Sequence, residues 1–175
     1  MKKILVVIDY QKDFVDGSLG FDKAATLEKA IGQKIVQYKQ DGDEVVFTLD
    51  THNDNYLQTQ EGKNLPVPHC IRNTEGWNVY GKIADLCDET TKRFEKATFG
   101  SLELASYLAN MEYDRVEMIG VVSNICVISN AILAKAALPE AEIIVDASCT
   151  ASFDESLNQK ALDVMQAMQI EIINR

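Results

Sequence analysis

Residues 120–131, GVVSNICVISNA, run from an apolar stretch into a helical pattern, and they place Cys126 in the first turn of that helix. A thiol there meets the partial positive charge and the unpaired N–H groups of a helix start, which favour the thiolate and can receive a developing oxyanion. The competing explanation is a small buried hydrophobe. Asp9 closes the apolar run ILVVI and opens DYQKDF, in which Asp9, Gln11 and Phe14 can line one lip of a pocket. A carboxylate beside a thiol can take its proton and later return it to a leaving group. Lys96 ends RFEK; between Asp9 and Cys126 its cation would stabilise both anions, whereas alone it would be an ordinary solvated lysine.

A second set of residues has the character of metal ligands. Asp50 and His52 stand two apart in LDTH, so on an extended chain their side chains point the same way. His69 lies in VPHC and Glu61 between them in TQEGK. Two imidazoles and two carboxylates suit zinc, manganese or iron(II) better than magnesium or calcium. Loop polar groups that only cap turns are the alternative. Cys70 follows His69, but its side chain faces away if the segment is extended.

These groups need elements to position them. KILVVID (3–9), EVVFTLD (44–50), RVEMIGV (115–121) and EIIVDA (142–147) are almost continuously apolar and rich in Val and Ile, as expected for parallel strands covered on both faces. TKRFEK (91–96) and IEIIN (170–174) are weaker strand candidates. Helical spacing recurs over 24–42, ending at Gly42, and over 101–111, 124–138 and 154–168. The alternation predicts a three-layer α/β/α sandwich with a mostly parallel, Rossmann-like sheet and right-handed crossovers. Ligands of such sheets bind beyond the carboxyl ends of the strands, where Asp9, Asp50 and Lys96 fall, with Cys126 just past the strand 115–121. Residues 51–78 form one long polar connection that holds both histidines, and a connection of that length is usually functional or disordered.

The 175 residues, 46% hydrophobic with three prolines and nine glycines, predict one domain over 1–175 with no flexible linker. With 17 basic and 27 acidic side chains the net charge is −10, which excludes nucleic acid as a partner and favours a small neutral or cationic one. The N-terminal apolar run is too short for a signal peptide, and no stretch approaches a membrane span. A cytoplasmic protein is expected, with four irregularly spaced free thiols.

VIDYQKDF, TLDTH, PVPHCIRNTEGW, FEKATFGS, GVVSNICV and DASCTAS, in this order, resemble the isochorismatase-like cysteine hydrolases, and within them the nicotinamidases. The resemblance implies a triad of Asp9, Lys96 and Cys126. It also implies a cis peptide between Val121 and Val122, with an oxyanion hole from the amides of Val122 and Cys126. The implied substrate pocket comprises Phe14, Leu65 and Val121. The implied metal ligands are Asp50, His52 and His69, with Glu61 where many members carry histidine, and the ion is zinc, with manganese or iron as alternatives. The implied activity is hydrolysis of nicotinamide to nicotinate and ammonia through a cysteine thioester. Cleavage of another small amide or ureido compound, or of a vinyl ether, is the alternative, and a metal-binding protein without activity the remaining one. Members of the family form dimers or tetramers, so a homo-oligomer is expected.

Overall fold

The computed structural model describes all 175 residues. In chain order the elements are β1 (Lys3–Ile8), α1 (Lys12–Val15), α2 (Asp22–Thr26), α3 (Glu28–Gln40), β2 (Glu44–Asp50), α4 (Gln60–Asn64), β3 (Arg93–Lys96), α5 (Leu102–Met111), β4 (Arg115–Val121), α6 (Ile128–Ala137), β5 (Glu142–Ala151), α7 (Glu155–Ala167) and β6 (Glu171–Ile173). The six strands form one sheet in the order β3-β2-β1-β4-β5-β6, and every pairing is parallel. This is the order of a doubly wound sheet.

The unbroken apolar run of β1 has a plain cause. Ile4, Leu5, Val6, Val7 and Ile8 are all fully buried, because alternate residues meet helices on opposite faces. Leu5 and Val7 pack with Phe14, Ile31, Ile35 and Tyr38 on the α1–α3 side. Ile4, Val6 and Ile8 pack with Leu104, Leu108, Ala131, Leu162 and Met165 on the α5–α7 side. The expected three-layer sandwich is therefore present.

The chain winds outward from β1 in two directions, through β2 to β3 and through β4 and β5 to β6. The crevice between the ends of β1 and β4 is thus the switch point where doubly wound sheets bind ligands. Gly120 lets these strands approach. It has a φ of +112°, and a Cβ there would lie 2.1 Å from the Ile8 carbonyl oxygen.

Three expectations change in detail. The helical pattern over 24–42 is two helices joined at Leu27, whose N–H bonds back to the Ala24 carbonyl (3.2 Å), and Gly42 ends the second with a φ of +77°. β5 continues past residue 147 to Ala151, because a register shift between Met118 and Gly120 lets it re-pair with the end of β4. The connection 51–78 is built rather than loose, with a 3₁₀ turn at Tyr56–Gln58, α4, and another turn at Glu75–Trp77. No helix is long and apolar enough to cross a membrane.

Candidate active site

Asp9, Lys96 and Cys126 converge at the switch point. Asp9 follows β1 in the left-handed conformation (φ +45°), which aspartate tolerates better than most residues. The Lys96 ammonium lies 2.6 Å from Asp9 Oδ2 and 3.7 Å from Cys126 Sγ, and it donates to the Thr98 carbonyl at 2.9 Å. Thr48 holds the other carboxylate oxygen, its hydroxyl donating to Asp9 Oδ1 at 2.6 Å. All four side chains are buried.

Cys126 stands in the first helical turn after β4, as expected. It lies in a π-helical turn, Ser123–Val127, ahead of α6. In that turn the Val122 carbonyl accepts from both Ile125 and Val127. The thiol is also shifted by its surroundings. Burial pushes it well up and the Asp9 charge adds to this, while Lys96 offsets only part. Burial likewise pushes the Asp9 carboxyl up, against the Lys96 ammonium that lowers it. Lys96 itself is held charged: burial opposes the charge, but Asp9, Cys126 and Asp50 outweigh it. The site thus sets a thiol and a carboxyl group on either side of one ammonium. The Val121–Val122 peptide is cis, as the resemblance implies.

Beside this trio stand the four metal-type residues. His52 Nε2 is 3.1 Å from Asp50 Oδ2 and 3.8 Å from Glu61 Oε1. His69 Nε2 is 3.3 Å and 3.6 Å from the same two oxygens. A tetrahedral ion with ligands at about 2.0–2.2 Å separates its donors by about 3.3–3.6 Å. Asp50, His52 and His69 could hold one small ion, since their donor atoms all lie within 4.8 Å of one another, and Glu61 stands against both imidazoles; this nitrogen–oxygen set suits zinc chemistry. His69 Nδ1 is 2.8 Å from the Val67 carbonyl. A carbonyl only accepts, so Nδ1 carries a proton and Nε2 is the nitrogen turned toward Asp50 and Glu61. Burial pushes the Asp50 carboxyl up, but bonds to His52 and His69 and the Lys96 charge bring it far below the usual carboxylate range. Lys96 Nζ lies 3.7 Å from Asp50 Oδ1, so one cation faces both clusters. Cys70 turns its side chain into the core, away from the cluster.

A cleft of about 860 Å³ opens beside the site, lined among others by His52, Asn53, Glu61, Leu65, Thr98, Phe99 and Asn124, with no lysine or arginine. Of the three expected substrate residues, Leu65 lines this cleft. Phe14 lies instead against the His69 ring (centroids 5.5 Å apart), and Val121 is fully buried in the core. Gln11 does not form a lip. Fully buried, it accepts from the Asp50 N–H (2.8 Å) and donates to the Asp50 and Trp77 carbonyls (2.9 and 2.8 Å), bracing the end of β2.

The isochorismatase domain model matches residues 3–175. The chain belongs to the isochorismatase family. It is accordingly a hydrolase. The isochorismatase-family protein PncA of Bacillus subtilis is 30% identical over 173 residues, spanning 93% of each chain. Among solved structures, a pyrazinamidase/nicotinamidase from Streptococcus mutans superposes with a TM-score of 0.88 at 32% identity, covering 98% of this chain and 100% of that one. A pyrazinamidase of Pyrococcus horikoshii in complex with zinc superposes at 0.87 and 25% identity, with both chains fully covered.

Sequence reasoning missed two supports of this isochorismatase-family site. Thr48 sits mid-strand and looks like any β-branched residue. Tyr56 stacks edge-on against both imidazoles (centroids 4.7 and 5.0 Å) and donates to the Leu65 carbonyl at 2.9 Å. An aromatic inside an otherwise polar connection was its available signal.

Proposed function

We propose that the protein is a cysteine amidohydrolase that converts nicotinamide to nicotinate and ammonia. The observation that carries this reading is one buried ammonium contacting Asp9 at 2.6 Å and Cys126 at 3.7 Å, beside an Asp50, His52 and His69 group that could hold a metal ion. The nicotinamidase relatives support the substrate, and the zinc-bound pyrazinamidase supports the ion.

In this mechanism Asp9 takes the thiol proton as Cys126 Sγ bonds to the amide carbon. A carboxyl pushed upward by burial is the stronger base for that transfer. Lys96 stabilises the thiolate as it forms. The backbone N–H groups of Val122 and Cys126 receive the oxyanion. Asp9 then gives its proton to the departing nitrogen, so ammonia leaves and a thioester remains. Water loses a proton to Asp9 as its oxygen attacks the thioester, the C–S bond breaks, and Asp9 returns the proton to sulfur. Asp50, His52, Glu61 and His69 would hold a divalent ion, zinc ahead of manganese or iron(II), which supplies a Lewis-acid anchor for a pyridine nitrogen when bound. Leu65 shapes the cleft, and Phe14 backs the His69 ring. The absence of lysine and arginine from the cleft lining disfavours an anionic vinyl ether and favours a neutral amide.

The test is ammonia release from nicotinamide by metal-stripped protein, by protein refilled with zinc or manganese, and by Cys126→Ala. Turnover that needs the ion and falls by at least about 10³-fold in Cys126→Ala is expected. Absence of turnover in every metal state removes nicotinamide as the substrate.

A further inference from the structure

Asn130 is a buried polar residue inside α6, 1% exposed and four residues beyond Cys126. Asparagine is a poor helix former, and a buried carboxamide is costly unless its hydrogen bonds are made. Those of Asn130 all go to backbone. Oδ1 accepts from the Ser101 N–H at 2.9 Å, and Nδ2 donates to the Phe99 carbonyl at 3.1 Å and the Cys126 carbonyl at 2.8 Å. One N–H on one side and two carbonyls on the other fix which amide atom is oxygen.

Two of these partners lie in residues 97–101, the segment that leaves β3 directly after Lys96. The same segment supplies the Thr98 carbonyl that accepts from Lys96 Nζ. It presses on α6 closely enough that a Cβ on Gly100 would lie 2.7 Å from Leu133 Cδ1. β3 is an edge strand held only by β2, and three strand spacings, about 14 Å, separate it from β4. Strand pairing alone therefore does not set the 3.7 Å between Lys96 Nζ and Cys126 Sγ.

We propose that Asn130 is a positioning residue that pins the segment after Lys96 to the backbone of Cys126 and so holds the ammonium against the thiol. The proposal rests on the reading of Lys96 and Cys126 as catalytic partners. Withdrawing the ammonium by about 2 Å weakens its hold on a thiolate by about 10-fold at an effective dielectric near 20.

The experiment is a double-mutant cycle read by the rate at which iodoacetamide alkylates Cys126 at fixed pH. It is followed by mass spectrometry of the Cys126 peptide in the full-length protein. Asn130→Leu, of similar volume, is expected to slow alkylation by about 10-fold when Lys96 is present and by less than about twofold in Lys96→Met. A role confined to anchoring the start of α5 through Ser101 would slow both backgrounds equally, and that result overturns the proposal, as does no slowing when Lys96 is present. If Lys96→Met itself leaves alkylation unchanged, the triad reading falls and this proposal with it. If Lys96→Met slows alkylation and Asn130→Leu does not, only the positioning claim falls. Should Asn130→Leu fail to fold, Asn130→Ala enters the same cycle with the same criteria.

Discussion

Replacing Lys96 by methionine removes the one cation shared by Asp9, Cys126 and Asp50. The magnitude follows from geometry. At 3.7 Å and an effective dielectric of about 20, the attraction between ammonium and thiolate is about 4.5 kcal/mol. Each 1.36 kcal/mol is tenfold in rate, so thiolate formation and acylation should slow by about 10³-fold. The residues are too buried for salt to screen this strongly. A second effect acts in the same direction: without Lys96, burial is left to push the Asp9 carboxyl further up and keep it protonated, unable to take the thiol proton. Removing one partner of a buried pair also costs about 3–5 kcal/mol of stability. The assay is ammonia release from nicotinamide beside iodoacetamide alkylation of Cys126, with urea unfolding to show that the variant is folded where rates are read. A folded Lys96→Met protein whose Cys126 alkylates within about 10-fold of the parent rate would refute the electrostatic reasoning, because a cation at that distance in a dry site cannot be worth so little.

Glu61→Ala should weaken zinc binding by at least about 100-fold against a competing chelator while leaving Cys126 alkylation within about threefold; unchanged zinc affinity would remove Glu61 from the ligand set. Lys34→Met should cost about 3 kcal/mol in urea unfolding at neutral pH, because Lys34 Nζ lies 2.7 Å from both Glu117 and Asp146, two carboxylates buried beneath α3. Burial raises the Asp146 carboxyl, but Lys34 and Ser148 bring it below its ordinary value; burial opposes the Lys34 charge, but the two carboxylates raise it above its own. The Asp146 contribution is thus lost as pH falls from about 3.9 through its lowered value, and the Lys34 contribution as pH rises from about 10.4 through its raised one. The gap between parent and variant should be widest between about pH 5 and 10 and close in acid, and a gap independent of pH would contradict this assignment. Gly120→Ala should lower Tm by at least about 5 °C, since its Cβ would meet the Ile8 carbonyl oxygen at 2.1 Å in a backbone with φ +112°. A thermal melt within about 2 °C of the parent would mean that β1 and β4 can part at low cost.

Much of the site was legible because it lies where local patterns stop. Asp9 and Asp50 each end a short apolar run and Lys96 a weaker strand candidate, and in a doubly wound sheet the ends of the strands share one edge. Glu61 could be named because the connection that carries it holds both histidines. The surroundings of Gln11 and Phe14 were not legible for one reason: their neighbours, Asp50 and His69, come from distant parts of the chain. Asn130 carried no mark in the sequence, since a polar residue on an amphipathic helix looks solvated until the segment packed over it is known.

Chain order and periodicity alone determined the alternation of strands and helices, the parallel sheet, the residues at its carboxyl edge and the chemical types available there. Those depend on interactions a few residues apart. Tertiary structure decided the donor spacings among Asp50, His52 and His69, the 3.7 Å between ammonium and thiol, and the upward push of burial on the Cys126 thiol. Distances across a sheet are set by strand pairing and by braces such as Gln11 and Asn130. Proton affinities are set by how much water the surrounding layers exclude, and neither is written in any local stretch of chain.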